Sequence, residues 1–395
     1  MGFWYHDRMM RPPSFWILLF ACLLAASAEA EPEGAVVFLQ GDESPFALVA
    51  ADADSGEAHV LARDAYGPPA WSPDGWWIAY ASRGAGKPLL RVVRADGRAA
   101  EAYSVVPGLD PLAWAPGGRR IAYASSPSGS LHDRTIRVLD LRTGEERLWG
   151  GGRPGMSGPV WLGEKSLLVA ALREQLELMG GEEAQLWRGV DPDPSQTLLA
   201  IGAVQGSGTA GLTTDLMIVT PDIALPTPKR VLPSEGDYEE WKVAMHPRGR
   251  EVAFESNDGG DREIFILSYK GAFDVSNHRA ADWNPAWSPG GDWLAFESLR
   301  GPRRGIYQVN TETGFTRPLA VEEEVACWAI SWAPRGGYFA HLRGAADRPR
   351  VWIAGEDGGG ARQLIPEGNE AQWAPVWQPR VTTPMPPTPG EEAAP

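Results

Sequence analysis

The chain has 395 residues, with 36 lysines and arginines against 51 aspartates and glutamates, a formal net charge of −15 at pH 7. That balance disfavours a nucleic-acid binder, which needs clustered cations to release phosphate counterions. With only two cysteines, Cys22 and Cys327, the chain is no disulfide-stapled scaffold, and its fold must rest on packing.

At the N-terminus, Arg8 and Arg11 precede an apolar run at residues 15–26, followed by Ala28-Glu29-Ala30. A basic start, a short apolar stretch and small residues at a cleavage point make a secretory signal peptide over residues 1–30. Its 12 apolar residues fall short of the roughly 20 needed to span a bilayer. Cys22 after Leu19-Phe20-Ala21 raises a lipid anchor as an alternative, but Phe20 is bulky for that processing site and the apolar stretch runs on past the cysteine. The expected location is periplasmic or secreted, with no membrane insertion once the signal is cleaved. Residues 1–30 carry two basic and two acidic side chains, so their removal leaves the net charge unchanged.

The next segments, at 36–39, 46–50 and 59–61, read as three short strands. Then a turn cassette begins to recur. It reads Trp71-Ser72-Pro73-Asp74-Gly75, Trp114-Ala115-Pro116-Gly117-Gly118, Trp287-Ser288-Pro289-Gly290-Gly291 and Trp332-Ala333-Pro334-Arg335-Gly336. Met245-His246-Pro247-Arg248-Gly249 is a variant, and Trp377-Gln378-Pro379-Arg380 a final truncated copy. In the fullest copy Ser72 suits the first turn position, Pro73 presets φ, and Gly75 tolerates the exit geometry. Each of the four full copies and the Met245 variant is followed by an apolar strand (78–80, 121–123, 252–254, 294–296, 338–340), then by a third (89–93, 136–139, 264–267, 306–309, 351–354). A short outer strand around Leu148, Leu319 or Leu364 completes the unit in three of them. Four strands repeating every 42 to 45 residues predict an all-β chain folded as a β-propeller over residues 31–380.

Between Trp161 and Met245 the rhythm weakens over 84 residues, two periods of 42. Two degenerate blades there give eight in all; one blade with an insertion of about 40 residues gives seven. Eight is the expected count. The ends explain each other: three N-terminal strands lack a cassette, and the cassette at Trp377 lacks a blade. Joined, they close the ring, with the C-terminal segment as the innermost strand of an N-terminal blade, which removes exposed edges. Residues 381–395 form a Pro-rich acidic tail with no basis for packing.

No residue set predicts catalysis, cofactor binding or a metal centre. His59, His132, His246, His278 and His341 fall in different repeats without ligand spacing, and His246 reads as a histidine on a turn surface. Cys327 reads as a small packed hydrophobe. Gly206-Ser207-Gly208 and Gly155-Met156-Ser157-Gly158 fall short of a nucleophile elbow. Residues 172–179 are the only helix-like stretch. Asn257-Asp258-Gly259-Gly260-Asp261-Arg262-Glu263 and Asp282 offer oxygen ligands in no EF-hand spacing and are expected as solvated turn residues. Trp71, Trp114, Trp161, Trp287, Trp332 and Trp377 are expected as wedges between blades. Trp76, Trp77, Trp241, Trp283, Trp293 and Trp373 lie off that position, where an aromatic could grip a partner.

The stretch from Asn284 to Ser298, with Asn284-Pro285-Ala286-Trp287-Ser288-Pro289-Gly290-Gly291, closely resembles the WD40-like repeat of the TolB propeller family, as does Pro69-Ala70-Trp71-Ser72-Pro73-Asp74-Gly75 through Ser82. The resemblance covers residues 35–379 and is specific for the repeat rather than for the job. TolB carries an α/β domain ahead of its propeller, and related propellers precede a peptidase domain; neither is expected within residues 1–395. A rigid ring, an acidic balance, an export signal and no nucleophile–base set lead to the expectation of a non-enzymatic scaffold for a protein or peptide partner in the cell envelope. The alternatives are a polysaccharide lyase or glycoside hydrolase using carboxylates in the central channel, and a purely structural envelope protein.

Overall fold

The computed structural model describes residues 33–84, 87–98, 100–105, 111–128, 131–152, 154–172, 214–219, 224–226, 240–249, 251–258, 260–268 and 270–381. The first blade contains β1 (Ala35–Gln40), β2 (Phe46–Asp52) and β3 (Ala58–Ala65). The second is β4 (Ala70–Trp71), β5 (Trp77–Gly84), β6 (Lys87–Arg94) and β7 (Ala100–Tyr103). The third is β8 (Ala113–Trp114), β9 (Arg120–Ser125), β10 (Thr135–Asp140) and β11 (Glu146–Leu148). The fourth is β12 (Met156–Trp161), β13 (Leu167–Leu172), β14 (Thr214–Val219) and β15 (Ala224–Pro226). The fifth is β16 (Glu240–Met245), β17 (Val252–Ser256), β18 (Glu263–Ser268) and β19 (Gly271–Asp274). The sixth is β20 (Asp282–Trp287), β21 (Trp293–Ser298), β22 (Gly305–Asn310) and β23 (Thr316–Ala320). The seventh is β24 (Ala326–Trp332), β25 (Tyr338–Ala345), β26 (Arg348–Gly355) and β27 (Arg362–Gln363). The last strand, β28 (Gln372–Trp377), pairs antiparallel with β1 and completes the first blade from its inner side.

Within each blade the strands pair antiparallel in order, and the first two blades also touch through a single Ala65–Ser82 bridge. The propeller is therefore closed as its two ends suggest. Gln378 fastens the seam: its N–H donates to Ala35 O (2.8 Å), its Oε1 accepts from Ala35 N (3.0 Å), and its Nε2 donates to Gly75 O in the next blade (2.7 Å).

The blade count corrects one expectation. Among the described residues there are seven blades, not eight, because the fourth draws its strands from both sides of residues 173–213. β13 pairs with β14 over six residues, Leu167 to Leu172 against Val219 to Thr214, although 41 residues separate them in sequence. The sequence also reads as strand at 185–190, 197–200 and 229–232, all outside the described residues, as are the signal segment and the tail from 382 onward.

The cassette works as its chemistry requires. Its terminal glycine donates back three residues, from Gly75 to Ser72 O, Gly118 to Ala115 O, Gly249 to His246 O, Gly291 to Ser288 O and Gly336 to Ala333 O, at 2.8–2.9 Å. In the serine copies the hydroxyl also accepts from the residue opening the next strand, Trp77 N (3.0 Å) and Trp293 N (3.2 Å).

The cassette tryptophans lock neighbouring blades. Each indole N–H donates to the carbonyl just ahead of the preceding blade's own cassette: Trp71 to Val376, Trp114 to Ala70, Trp161 to Ala113, Trp287 to Ala244 and Trp332 to Ala286, at 2.9–3.2 Å. Trp377 turns instead to Glu33 O (3.0 Å) at the seam. Trp71, Trp114, Trp161, Trp287 and Trp377 are buried, Trp332 half-buried, so each large ring is removed from water and its polar edge is satisfied. The fifth blade has Met245 there, and His246 supplies the aromatic contact, its ring edge-on to Trp287 with centroids 4.7 Å apart.

Blades also meet along their outer turns, where two glycines, Gly56 against Leu364 O and Gly358 against Leu319 O, leave no room for a Cβ. Gly358 has φ +89°, and a Cβ there would lie 2.2 Å from Leu319 O of the sixth blade, a backbone atom that cannot swing away. Gly314 occupies the same turn one blade earlier with φ +72°, yet nothing lies within 4 Å of its Cβ position. Both alanine variants should incur about 1–2 kcal/mol for the left-handed backbone, and Gly358→Ala a further ~1–3 kcal/mol of overpacking. Urea unfolding midpoints test this; equal losses would contradict the contact.

Candidate binding mouth of the propeller

The inner strands end differently at the two faces of the ring. One face carries the cassette turns. Near the other, five successive inner strands break their pairing register at one place: β12 between Ser157 and Val160, β16 between Trp241 and Ala244, β20 between Trp283 and Ala286, β24 between Trp328 and Ser331, and β28 between Trp373 and Val376. At each bulge one residue takes a left-handed backbone: Gly158, Lys242, Asn284, Ala329 and Ala374, with φ of +48° to +59°. Four of these are not glycine, a conformation that side chains disfavour unless the surroundings fix it.

In the fifth to seventh blades, buried glutamates do the fixing. Glu255 on β17 accepts from Asn284 N (2.7 Å), and Glu297 on β21 accepts from Ala329 N (2.8 Å), each reaching into the next blade's bulge. Glu297 also accepts from Asn284 Nδ2 (3.0 Å) and from Arg304 Nε (2.6 Å), with a second contact from Arg304 Nη2. The Arg304 guanidinium lies 5.3 Å from the Trp283 ring and 5.5 Å from the Trp328 ring. This is a cation held between two aromatic faces over a fully buried carboxylate.

Beside this node lies a second buried group. Asp282 is fully buried and pairs with Arg300, whose guanidinium also lies over Phe296 (5.0 Å) and Tyr307 (5.2 Å). Glu263 accepts from the Ser276 hydroxyl and from His278 N (3.1 Å). Burial pushes the Glu255 and Glu263 carboxyls up to about 7, and it raises Asp282 and Asp274 above the usual carboxylate range.

These positions correct the expectation for the acidic loop. Asp261 is exposed, but Glu263 and Asp282 are buried members of a hydrogen-bonded network rather than solvated turn residues. His246 likewise is buried against Trp287, not on a turn surface. The other histidines stay apart. His59 is exposed, one of its ring nitrogens 3.2 Å from Ala95 O; His132 is exposed; and His341 is 2% exposed, with burial driving its pKa down to about 3. Cys327 packs among Ala295, Ile306, Leu319 and Phe339, and burial pushes its thiol up to about 12. Gly158 falls at the β12 bulge, while residues 206–208 and 173–179 lie outside the described residues.

Of the off-position tryptophans, Trp283 and Trp373 reach the mouth half-buried, and the Trp373 indole donates to Gly41 O (3.0 Å). Trp77 is core, Trp76 packs partly against the same cluster, and Trp293 carries Arg317 over its ring at 4.7 Å. The side chain of Trp241 lies outside the described residues. Sequence reasoning passed over Trp328, Glu255, Glu297 and Arg304 as site residues. The available signal was a glutamate repeated at one place in two apolar strands, Phe254-Glu255-Ser256 and Phe296-Glu297-Ser298.

Among the described residues no group of three or more His, Cys, Asp or Glu is arranged to hold a metal ion, and no helix is long and apolar enough to cross a membrane.

Neither a protein-family model nor a curated protein sequence matches the chain. Solved structures share its fold at low identity. The β-propeller domain of the Trilobed protease from Pyrococcus furiosus aligns at 12% identity and TM-score 0.57, over 85% of this chain and 95% of that one. TolB from Acinetobacter baumannii aligns at 16% identity and TM-score 0.52, over 88% of this chain and 67% of that one. An oligogalacturonate lyase in complex with manganese aligns at 15% identity and TM-score 0.51, over 84% and 85%. The shared property is the propeller, a fold that hosts scaffolds and enzyme domains alike.

Proposed function

We propose that the chain is an exported, non-enzymatic scaffold that binds a protein or peptide partner of the cell envelope at the mouth opposite the cassette turns. The observation that carries this reading is the placement of Trp283, Trp328 and Trp373 at equivalent positions on three consecutive inner strands, all half-buried. Large rigid aromatics beside a charged centre are the composition of interface hot spots. Export rests on the N-terminal signal pattern, and the envelope setting also on the repeat's likeness to TolB.

The carboxylates of the mouth support binding better than bond cleavage. Glu263 and Glu297 accept hydrogen bonds from the protein on both oxygens, and Glu255 and Asp282, each with one oxygen lacking a hydrogen-bond donor, are 1% and 0% exposed. A glycosidic mechanism needs a paired acid and base free to face substrate. The test is capture from envelope extract under mild crosslinking, comparing the full chain with a Trp283→Ala/Trp328→Ala variant. Loss of two anchors, each contributing at least about 2 kcal/mol, should reduce capture of the specific partner more than about a hundredfold. No specific protein, or undiminished capture by the variant, would favour a purely structural role and sink the proposal.

A further inference from the structure

Glu255 and Glu297 hold the same place in successive blades, in backbone register with Trp241 and Trp283 respectively, yet their surroundings are unequal. Glu297 has donors on both oxygens and an arginine of its own blade, Arg304, closing the slot between Trp283 and Trp328. Glu255 has only one. Its Oε1 accepts from Asn284 N (2.7 Å), but its Oε2 has no hydrogen-bond donor, although the residue is 1% exposed. Arg262, the counterpart of Arg304, comes no nearer to that oxygen than 3.6 Å, and its side chain is 42% exposed against 33% for Arg304.

A buried carboxylate oxygen left without a donor is costly, and a charge-assisted fork of N–H groups is the strongest remedy. The sixth blade displays that remedy in the same architecture. We infer that the slot over Glu255 is a receptor for the guanidinium of an arginine presented by a protein or peptide partner, which enters from the mouth and exchanges with Arg262. This rests on reading the mouth as a binding surface, and it names what the partner must carry.

The charged groups that face Glu255 are Arg262 beside β18, Lys242 on β16 and Glu297 on β21. Arg262 and Lys242 compete with an incoming cation, and Glu297 assists it. A planar fork can serve Oε2 while its face stacks on Trp283; a lysine ammonium offers no such plane. Protons compete as well, since burial pushes the Glu255 carboxyl up to about 7, so occupancy should rise between pH 5.5 and pH 8.

The probe is N-acetyl-arginine amide, titrated against the full chain and followed by tryptophan fluorescence at pH 8. A saturable response is expected, at least fivefold weaker for N-acetyl-lysine amide and lost for the citrulline analogue. Glu255→Gln should weaken the arginine response at least tenfold, and Arg262→Ala should tighten it several-fold. Should Glu255→Gln fail to fold, Arg262→Ala decides alone: unchanged affinity overturns the inference. A response that does not saturate, or that neither variant alters, also overturns it. The two readings fail separately. Arginine binding without capture of an envelope partner leaves the site and removes the scaffold. Capture that needs Trp283 and Trp328, without arginine binding, does the reverse.

Discussion

A chain ending at Ala371 should show no cooperative thermal transition, whereas one ending at Val381 should melt like the full chain. The difference is β28. Without it the first blade loses its innermost strand, β1 exposes an unpaired edge, and the indole of Trp71 loses its acceptor at Val376. Trp377, 3% exposed, leaves the cluster it shares with Val36, Phe38, Ala340 and Leu342. Truncating one buried tryptophan costs about 3–5 kcal/mol. Adding the lost ladder and the opened interface reaches the whole of a typical domain stability, about 5–15 kcal/mol. Circular dichroism melts of the two truncated chains decide the matter. A peptide of residues 370–381 added in trans should restore part of the transition. If the chain ending at Ala371 melts cooperatively within a few degrees of the full length, the seam is not what holds the ring.

The second large effect is on the pH dependence of stability. Burial raises the Glu255 carboxyl from 4.5 to about 7 in the folded protein. Between those values the folded state holds a proton that the unfolded chain has released, so stability is fully present below pH 4.5 and declines as pH rises through 7. For Glu255 the decline is on the order of 3 kcal/mol. Glu263, also raised to about 7, acts in the same direction. His341 opposes them: held neutral down to about pH 3 against an ordinary 6.5, it adds stability as pH rises across that interval. Asp52, Asp96 and Asp133 are shifted downward and act only below their ordinary value of 3.8. The contribution of Glu255 is therefore isolated by difference. Urea unfolding of the native chain and of Glu255→Gln at pH 4.5, 6 and 8 should show the variant gaining on the native chain steadily with pH. A constant offset across the three values would show that Glu255 is not protonated in the folded state.

The cassette made the fold readable because its chemistry is local. Pro73 and Gly75 fix a turn whatever surrounds them, and the strands on either side follow. The seam was readable because a lone cassette at Trp377 and three lone strands at 36–61 need each other. The blade count was not. Residues 215–220 read as strand-like, but nothing local says that they pair with 167–172 rather than with nearer residues. A spacing of two periods suits two blades or one blade with an insertion, and among the described residues it holds one. The site escaped for a related reason. A glutamate in Phe254-Glu255-Ser256 is polar by sequence and 1% exposed by structure, and its role depends on the bulge at Asn284, 29 residues away on another blade. Burial and left-handed backbone are properties of the assembled ring.

The seam has a mechanical consequence. β1 and β28 run antiparallel, with Val36 opposite Trp377 and Gln40 opposite Gln372, so the chain arrives and departs at the same end of one ladder. Tension between residues 33 and 381 would fall first on the two hydrogen bonds joining Ala35 and Gln378. Later bonds would be loaded in turn rather than together, as in unzipping, not shear. If both ends were anchored, pulling would open this ring at its first blade while the indole bonds of Trp114, Trp161, Trp287 and Trp332 between the later blades still held.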